Sequence, residues 1–246
     1  MSKQVLWLKH AEEVSLVGGK ALSLNRLLRA GFNVPKGFVI TTASGSKMTE
    51  ALREEVLKYF SDLNTPVVAV RSSAVSEDGK GDAWAGQFDT FLNVSSDELI
   101  EKIQECWVSA GSERARSYAE QKSISPGKVA VIIQQMVPGD VSGVAFSAHP
   151  VTNSHEQVVI EAAKGLGEKL VSGTITPDTY VLDKKSGQVI EEHLGQDRIL
   201  NNQQLQLVAE AVKKIESVFG FPVDVEWTYA GDELYILQSR PITTLG

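Results

Sequence analysis

The sequence has a single cysteine in 246 residues, Cys106, so it can form no internal disulfide and no cysteine-based metal site. Cys106 falls in the helical pattern LIEKIQECWVSA, where a buried structural thiol is expected rather than a nucleophile. Histidine is nearly as scarce. His10, His149, His155 and His193 form no C/H cluster and no H-x-x-x-H pattern, which leaves a zinc site unsupported. There is no G-x-S-x-G elbow and no serine–histidine motif. Basic runs are also missing. With a net charge of -7, nucleic acid and anionic membrane are not expected as main partners. The N-terminus shows no signal-peptide core, and no apolar stretch is long enough to cross a bilayer; a cytoplasmic protein is expected. Neither an internal repeat nor a low-complexity segment is present.

What is there is an ordinary globular composition, 42% hydrophobic and 22% charged, on a chain long enough for one large domain or two lobes. The most informative stretch is DVEWTYAGDELYILQSRP, Asp224 to Pro241. It reads as two short strands around a turn supplied by Gly231 and Asp232. Strand alternation puts Val223, Val225 and Trp227 on one face and Asp224 and Glu226 on the other; on the returning strand Tyr235, Leu237 and Ser239 alternate with Ile236, Gln238 and Arg240. With Gly231 to Glu233 as the loop, Glu226 lies opposite Gln238 and Asp224 opposite Arg240. Carboxylate and amide oxygens suit a hard cation such as Mg2+ shared with substrate phosphates, and arginine suits a phosphoryl group in transfer. A solvated hairpin face with an ordinary ion pair fits the same residues.

Along the chain, Gly18 and Gly19 precede a helical pattern that starts at Lys20, contains Leu24, Leu27 and Leu28, and ends near Gly31. Free N–H groups and a lysine at a helix start can hold phosphate, although GGK lacks the longer P-loop spacing; an exposed lysine on a glycine-capped helix is the alternative. A strand is expected over Phe38–Thr41 and a helix over Ala51–Phe60. The apolar run VVAVRSSAV delivers Arg71, Ser72 and Ser73 at its end, as a site strand does, or else caps a sheet edge with an arginine. Ser76 to Gly86 is glycine-rich, contains Trp84, and is expected to be a mobile loop before a strand at Phe88–Val94. Ser95 or Ser96 can cap a helix beginning at Asp97 and running to about Ala110, and a further helix is expected over Glu113–Gln121. The Ser125-Pro126-Gly127 break marks the expected lobe boundary, so the lobes would cover 1–127 and 128–246. Beyond it come three β runs, a hairpin turning at Lys185–Gly187, and an amphipathic helix over Asn202–Phe219 with Leu205, Val208, Val212, Ile215 and Val218 on one side.

Six ordered motifs run through the chain: VGGKALSLNRLLRAGFNVPKGFVIT, AVRSSAVSED, WAGQFDTFLNV, VIIQQMVPGDVSGVAFS, IEAAKGLGEKLVSGTITPDTY and DVEWTYAGDELYILQSRP. Together they resemble the N-terminal ATP-binding domain of the phosphoenolpyruvate synthase, pyruvate phosphate dikinase and rifampicin phosphotransferase family. The resemblance implies an α+β, ATP-grasp-type fold with ATP between two lobes and Mg2+ as cofactor. The implied activity is phosphoryl transfer from ATP to a histidine on a separate domain. Carried over by motif, Lys20 is the phosphate-binding lysine and Arg71 the phosphate-contacting arginine. Gly86 and Thr90 belong to the loop over the phosphates, and Gln134, Gln135, Met136 and Val137 to the strand that meets adenine, with either glutamine open as the contact. Glu161 would face the ribose, Glu226 and Gln238 would hold magnesium, and Asp224 and Arg240 would flank them as acid and catalytic arginine. Two departures accompany the match. The stretch between Thr42 and Val67 is short for the family, and the glycine- and threonine-rich motif around the family's phosphohistidine has no counterpart here. The resemblance therefore implies a histidine domain supplied in trans, as in pyruvate, water dikinase chemistry. The alternatives are a stand-alone small-molecule kinase, such as an antibiotic phosphotransferase, and a nucleotide-binding module without turnover.

Overall fold

The computed structural model describes residues 3–75, 90–110, 129–165, 176–195 and 198–245. It divides into two compact units, Met1–Asn25 with Pro35–Met136, and Arg26–Val34 with Val137–Gly246. Each combines helices with one antiparallel sheet, the α+β class expected.

In the first unit the strands are β1 (Val5–Trp7), β2 (Gly37–Ile40), β3 (Val68–Ala74), β4 (Thr90–Val94) and β5 (Val129–Gln135), in the order β1-β2-β5-β3-β4. Strand β5 is the middle strand and pairs with both β2 and β3. The expected boundary after residue 127 is therefore displaced: the Ser-Pro-Gly break punctuates the chain, but the strand that follows it completes the first sheet, and this unit runs to Met136. One sheet face, carrying Val68, Val70, Val131 and Ile133, packs on α2 (Glu50–Leu63) and α3 (Leu99–Ala110) through Leu52, Val56, Leu99, Ile103 and the buried Cys106. Helix α2 is capped by Thr49, whose hydroxyl accepts from the Leu52 N–H. Helix α3 starts two residues later than Asp97, because the Glu98 carboxylate turns back to accept from the Ser95 N–H and hydroxyl. Helix α1 (Val14–Arg29) is broken at Gly18, where φ 74 and ψ 172 are not helical.

The second unit has β6 (Val141–Phe146), β7 (Gln157–Lys164), β8 (Asp178–Asp183), β9 (Val189–His193), β10 (Val223–Ala230) and β11 (Glu233–Pro241), in the order β11-β10-β6-β7-β8-β9. One face is covered by α4 (Asn202–Phe219), which buries Leu205, Val208, Val212 and Ile215. Val218, expected on the same stripe, is 44% exposed in the last turn. Asn201 and Gln204 close a capping box at the helix start, and Gly220 ends it in the left-handed conformation at φ 79. Opposite α4's stripe lie Val223, Val225, Trp227 and Tyr229, and the Tyr229 hydroxyl donates to the Gln204 carbonyl. Asp178, 1% exposed, accepts from the Tyr180 hydroxyl and from the Gly195 and Ile199 N–H groups, which fastens the segment leading into α4. The Ser76–Gly86 loop, Trp84 and the 113–121 helix lie outside the described residues.

Candidate functional site

The terminal hairpin shows how the second unit builds its polar face. Asp224 pairs with Arg240, Val225 with Ser239 and Glu226 with Gln238, as strand alternation predicts. The route to that register differs. The turn is two residues long, since Ala230 pairs with Glu233, and Gly231 adopts φ 58. The ladder then shifts between Glu226 and Trp227, leaving Leu237 as an extra residue on β11. This β-bulge re-aims the end of the strand. Without it, a two-residue turn would send Gln238 and Arg240 to the face occupied by Val225 and Trp227. The expected grouping of Ile236 with Gln238 and Arg240 is corrected accordingly: Ile236 pairs with Trp227, is 2% exposed, and belongs to the α4 face.

The row continues across the sheet. Glu226 is opposite Val144 on β6, and Val144 is opposite Glu161 on β7. Directly opposed residues share a face, so Glu161, Glu226 and Gln238 stand in one row with Asp224 and Arg240 in the next. All five lie on the face turned away from α4. Asp224 and Gln238 are each 7% exposed. Arg240 donates from both Nε and Nη2 to the same Asp224 oxygen, Oδ2, each at 2.8 Å. Burial pushes the Asp224 carboxyl up from its ordinary value; Arg240 pulls it down, and Glu226 adds to the rise. Glu161 is likewise pushed up, by burial and then by Asp224. Excess negative charge held out of water is what a cation would relieve. Among the described residues no group of three or more His, Cys, Asp or Glu side chains is placed to share a metal. The donors present, one carboxylate and one amide, instead suit a cation that takes its other ligands from phosphate and water.

In the first unit, Arg71 on β3 lies opposite Thr90 on β4 and Ile132 on β5. Gln134 lies opposite Ala69, two residues along β3 from Arg71. Arg71, Thr90 and Gln134 thus share one sheet face, the face opposite Val68 and Val70. Gln135 pairs with Val68 and points to the other side. Gln134 is 3% exposed, and its amide nitrogen has no hydrogen-bond partner, an arrangement that asks for a ligand acceptor. Lys20, just past the Gly18 break, donates from Nζ to the Ser72 carbonyl at 3.3 Å. Met136 follows β5 at the end of this unit, and Val137 opens the second. Gly86 lies outside the described residues. Asp178 and the part played by Ser73 are not legible in the sequence. Both sat inside quoted motifs, TPDTY and AVRSSAV, but neither the aspartate's role as a buried clamp nor the serine's tertiary partners has a local signature.

The profile of the pyruvate phosphate dikinase AMP/ATP-binding domain matches residues 44–199 and 193–246. An uncharacterized phosphotransferase of Bacillus subtilis (strain 168), YvkC, is 33% identical, with 98% of this chain and 35% of its own length aligned. A probable phosphoenolpyruvate synthase of Methanothermobacter thermautotrophicus is 32% identical over 96% of this chain and 45% of its own. The phosphoenolpyruvate synthase of Pyrococcus furiosus is 36% identical over 80% of this chain and 29% of its own. The chain thus spans less than half the length of these relatives. Among solved structures, the D-alanine–D-alanine ligase of Helicobacter pylori aligns at a TM-score of 0.49 and 12% identity, covering 92% of this chain and 54% of that one. The chain belongs to the family of the pyruvate phosphate dikinase AMP/ATP-binding domain.

Proposed function

We propose that this chain is an ATP-grasp-type phosphotransferase domain that binds Mg–ATP and passes a phosphoryl group to a histidine on a separate domain, as in phosphoenolpyruvate synthase. The observation that carries this is the second unit's polar face, where Asp224 and Glu226 oppose Arg240 and Gln238 in register, with Glu161 in the same row as Glu226. Lys20 and Arg71 are assigned to the phosphates, with Gly86 and Thr90 on the loop over them. Gln134, Met136 and Val137 are assigned to adenine. Gln134 is preferred to Gln135 because its unpaired amide shares the Arg71 face. Glu161 is assigned to the ribose.

Glu226 and Gln238 would hold Mg2+, which when bound would neutralise phosphate charge and screen the buried carboxylates. Arg240 is the most exposed charge of the set. It is half-exposed while its partner Asp224 is not, with side-chain exposures of 46% and 8%. Its guanidinium can stay anchored through one nitrogen and turn another toward a phosphoryl oxygen. Asp224 keeps that arginine aligned. The work left to the protein is positioning and charge stabilisation. A cytosolic location and a histidine supplied in trans belong to the same proposal.

Calorimetry with ATP tests it. Binding is expected with Mg2+ present and is expected to weaken by about tenfold or more in Glu226→Ala, as loss of a charged ligand does. Absence of binding by the unaltered chain would refute the assignment.

A further inference from the structure

The break in α1 is fastened from outside the helix. At Gly18 the backbone takes φ 74, and a Cβ there would lie 2.3 Å from the Ser73 carbonyl oxygen and 2.4 Å from Ser73 Oγ. No side chain fits, so the Gly18 backbone sits directly on the end of β3. The Ser73 hydroxyl, fully buried, donates to the Val17 carbonyl at 2.8 Å and accepts from the Ala21 N–H at 3.2 Å. One hydroxyl therefore ties the residue before the break to the residue after Lys20. Helices that start afresh ordinarily take such a cap from the residue just ahead of them. Here the positions ahead are Gly18 and Gly19, which have no side chain to give, and a strand 52 residues away supplies the oxygen instead.

The consequence falls on Lys20. It sits between the two atoms that Ser73 holds, and its ammonium donates to the neighbouring Ser72 carbonyl. Arg71, two residues before Ser73 on the same strand, lies on the same sheet face as the Ser73 hydroxyl. We propose that Ser73 is a positioning residue: by bridging Val17 and Ala21 it sets the Lys20 ammonium against the Arg71 guanidinium, so that one strand fixes both cations that meet the nucleotide phosphates. This rests on the phosphate role assigned above to Lys20 and Arg71. Ser73 itself touches neither phosphate nor metal in the scheme; it acts through the lysine.

The test compares Ser73→Thr with Ser73→Val. The two replacements share a shape and differ only in the hydroxyl, so any packing disturbance at this buried site is common to both. ATP affinity is measured by calorimetry well below the thermal midpoint of each variant, alone and combined with Lys20→Ala. Ser73→Val is expected to bind ATP about tenfold more weakly than Ser73→Thr, the loss of a well-placed charge-assisted contact. In the Lys20→Ala background the difference between Val and Thr should vanish, since the lysine it positions is gone. Equal affinities for the Thr and Val variants, or a Val–Thr gap that persists without Lys20, would overturn the inference and make Ser73 a purely structural cap. Lys20→Ala binding ATP as tightly as the unaltered chain would instead remove the phosphate assignment itself.

Discussion

Arg240 offers two nitrogens to one oxygen of a buried carboxylate, and a lysine cannot reproduce that with a single ammonium. Arg240→Lys is expected to slow single-turnover phosphoryl transfer by about a hundredfold, the usual cost of losing a preorganised transition-state donor. Its Mg–ATP affinity should change much less, because contacts that strengthen only in the transition state set the chemical rate. Parallel loss of affinity and rate would make Arg240 a ground-state clamp. Glu161 gives a pH prediction at the same scale. Its carboxyl is raised in the folded protein by burial and by Asp224, so folding favours the protonated form. That contribution is fully present below the ordinary carboxylate value and is lost as pH rises through the raised one. Glu161→Gln should therefore raise the thermal midpoint of the nucleotide-free protein at pH 7, with the gain disappearing at pH 3 to 4. A gain that is the same at both pH values would show that charge is not its cause.

Strands β10 and β7 carry the acidic row, and their spacing across β6 depends on Gly143. A Cβ at Gly143 would fall 1.9 Å from the Glu161 carbonyl oxygen and 2.5 Å from the Trp227 ring. Gly143→Ala is expected to cost about 3 kcal/mol in urea unfolding, the upper range for forcing a methyl into packed structure, because the first obstacle is backbone. A neutral effect would mean that β6 and β7 are not held so closely. These elements also show what could be read in advance. The polar face of the hairpin was legible because a period of two assigns sides once the pairing is set, and Asp224, Glu226, Gln238 and Arg240 form a pattern few solvated strands need. The Leu237 bulge was not legible. A two-residue turn with a bulge and a three-residue loop without one give the same pairing of Glu226 with Gln238, and only the sides taken by Leu234, Tyr235 and Ile236 tell them apart. The extent of α4 could be read from its apolar spacing and from the Asn201 and Gly220 that bound it. The sheet to which β5 belongs could not. Its residues from Val129 to Ile133 are apolar on both faces, and strand partners more than 50 residues away leave no trace in the local pattern. The same limit hid Ser73, whose hydroxyl bonds across 56 and 52 positions of sequence.

For the molecule as a whole, the family match names an ATP-binding domain, and the relatives that share it are more than twice as long. No helix among the described residues is long and apolar enough to cross a membrane. The four histidines stand apart from any acceptor motif. His193 pairs with Glu191 on the exposed strand β9, and His149 accepts from the N–H groups of Val151 and Thr152 at a turn. Stable labelling of the chain on its own histidines is therefore not expected. The most direct measurement is incubation with Mg2+ and ATP labelled on its phosphates, with and without a histidine domain from a phosphoenolpyruvate synthase. Acid-labile, base-stable label is expected on the histidine domain, only when this chain is present, and greatly reduced with Arg240→Lys. Label that instead accumulates stoichiometrically on this chain, or ATP that binds without any transfer to the added histidine, would contradict the assignment of a phosphotransferase that acts in trans.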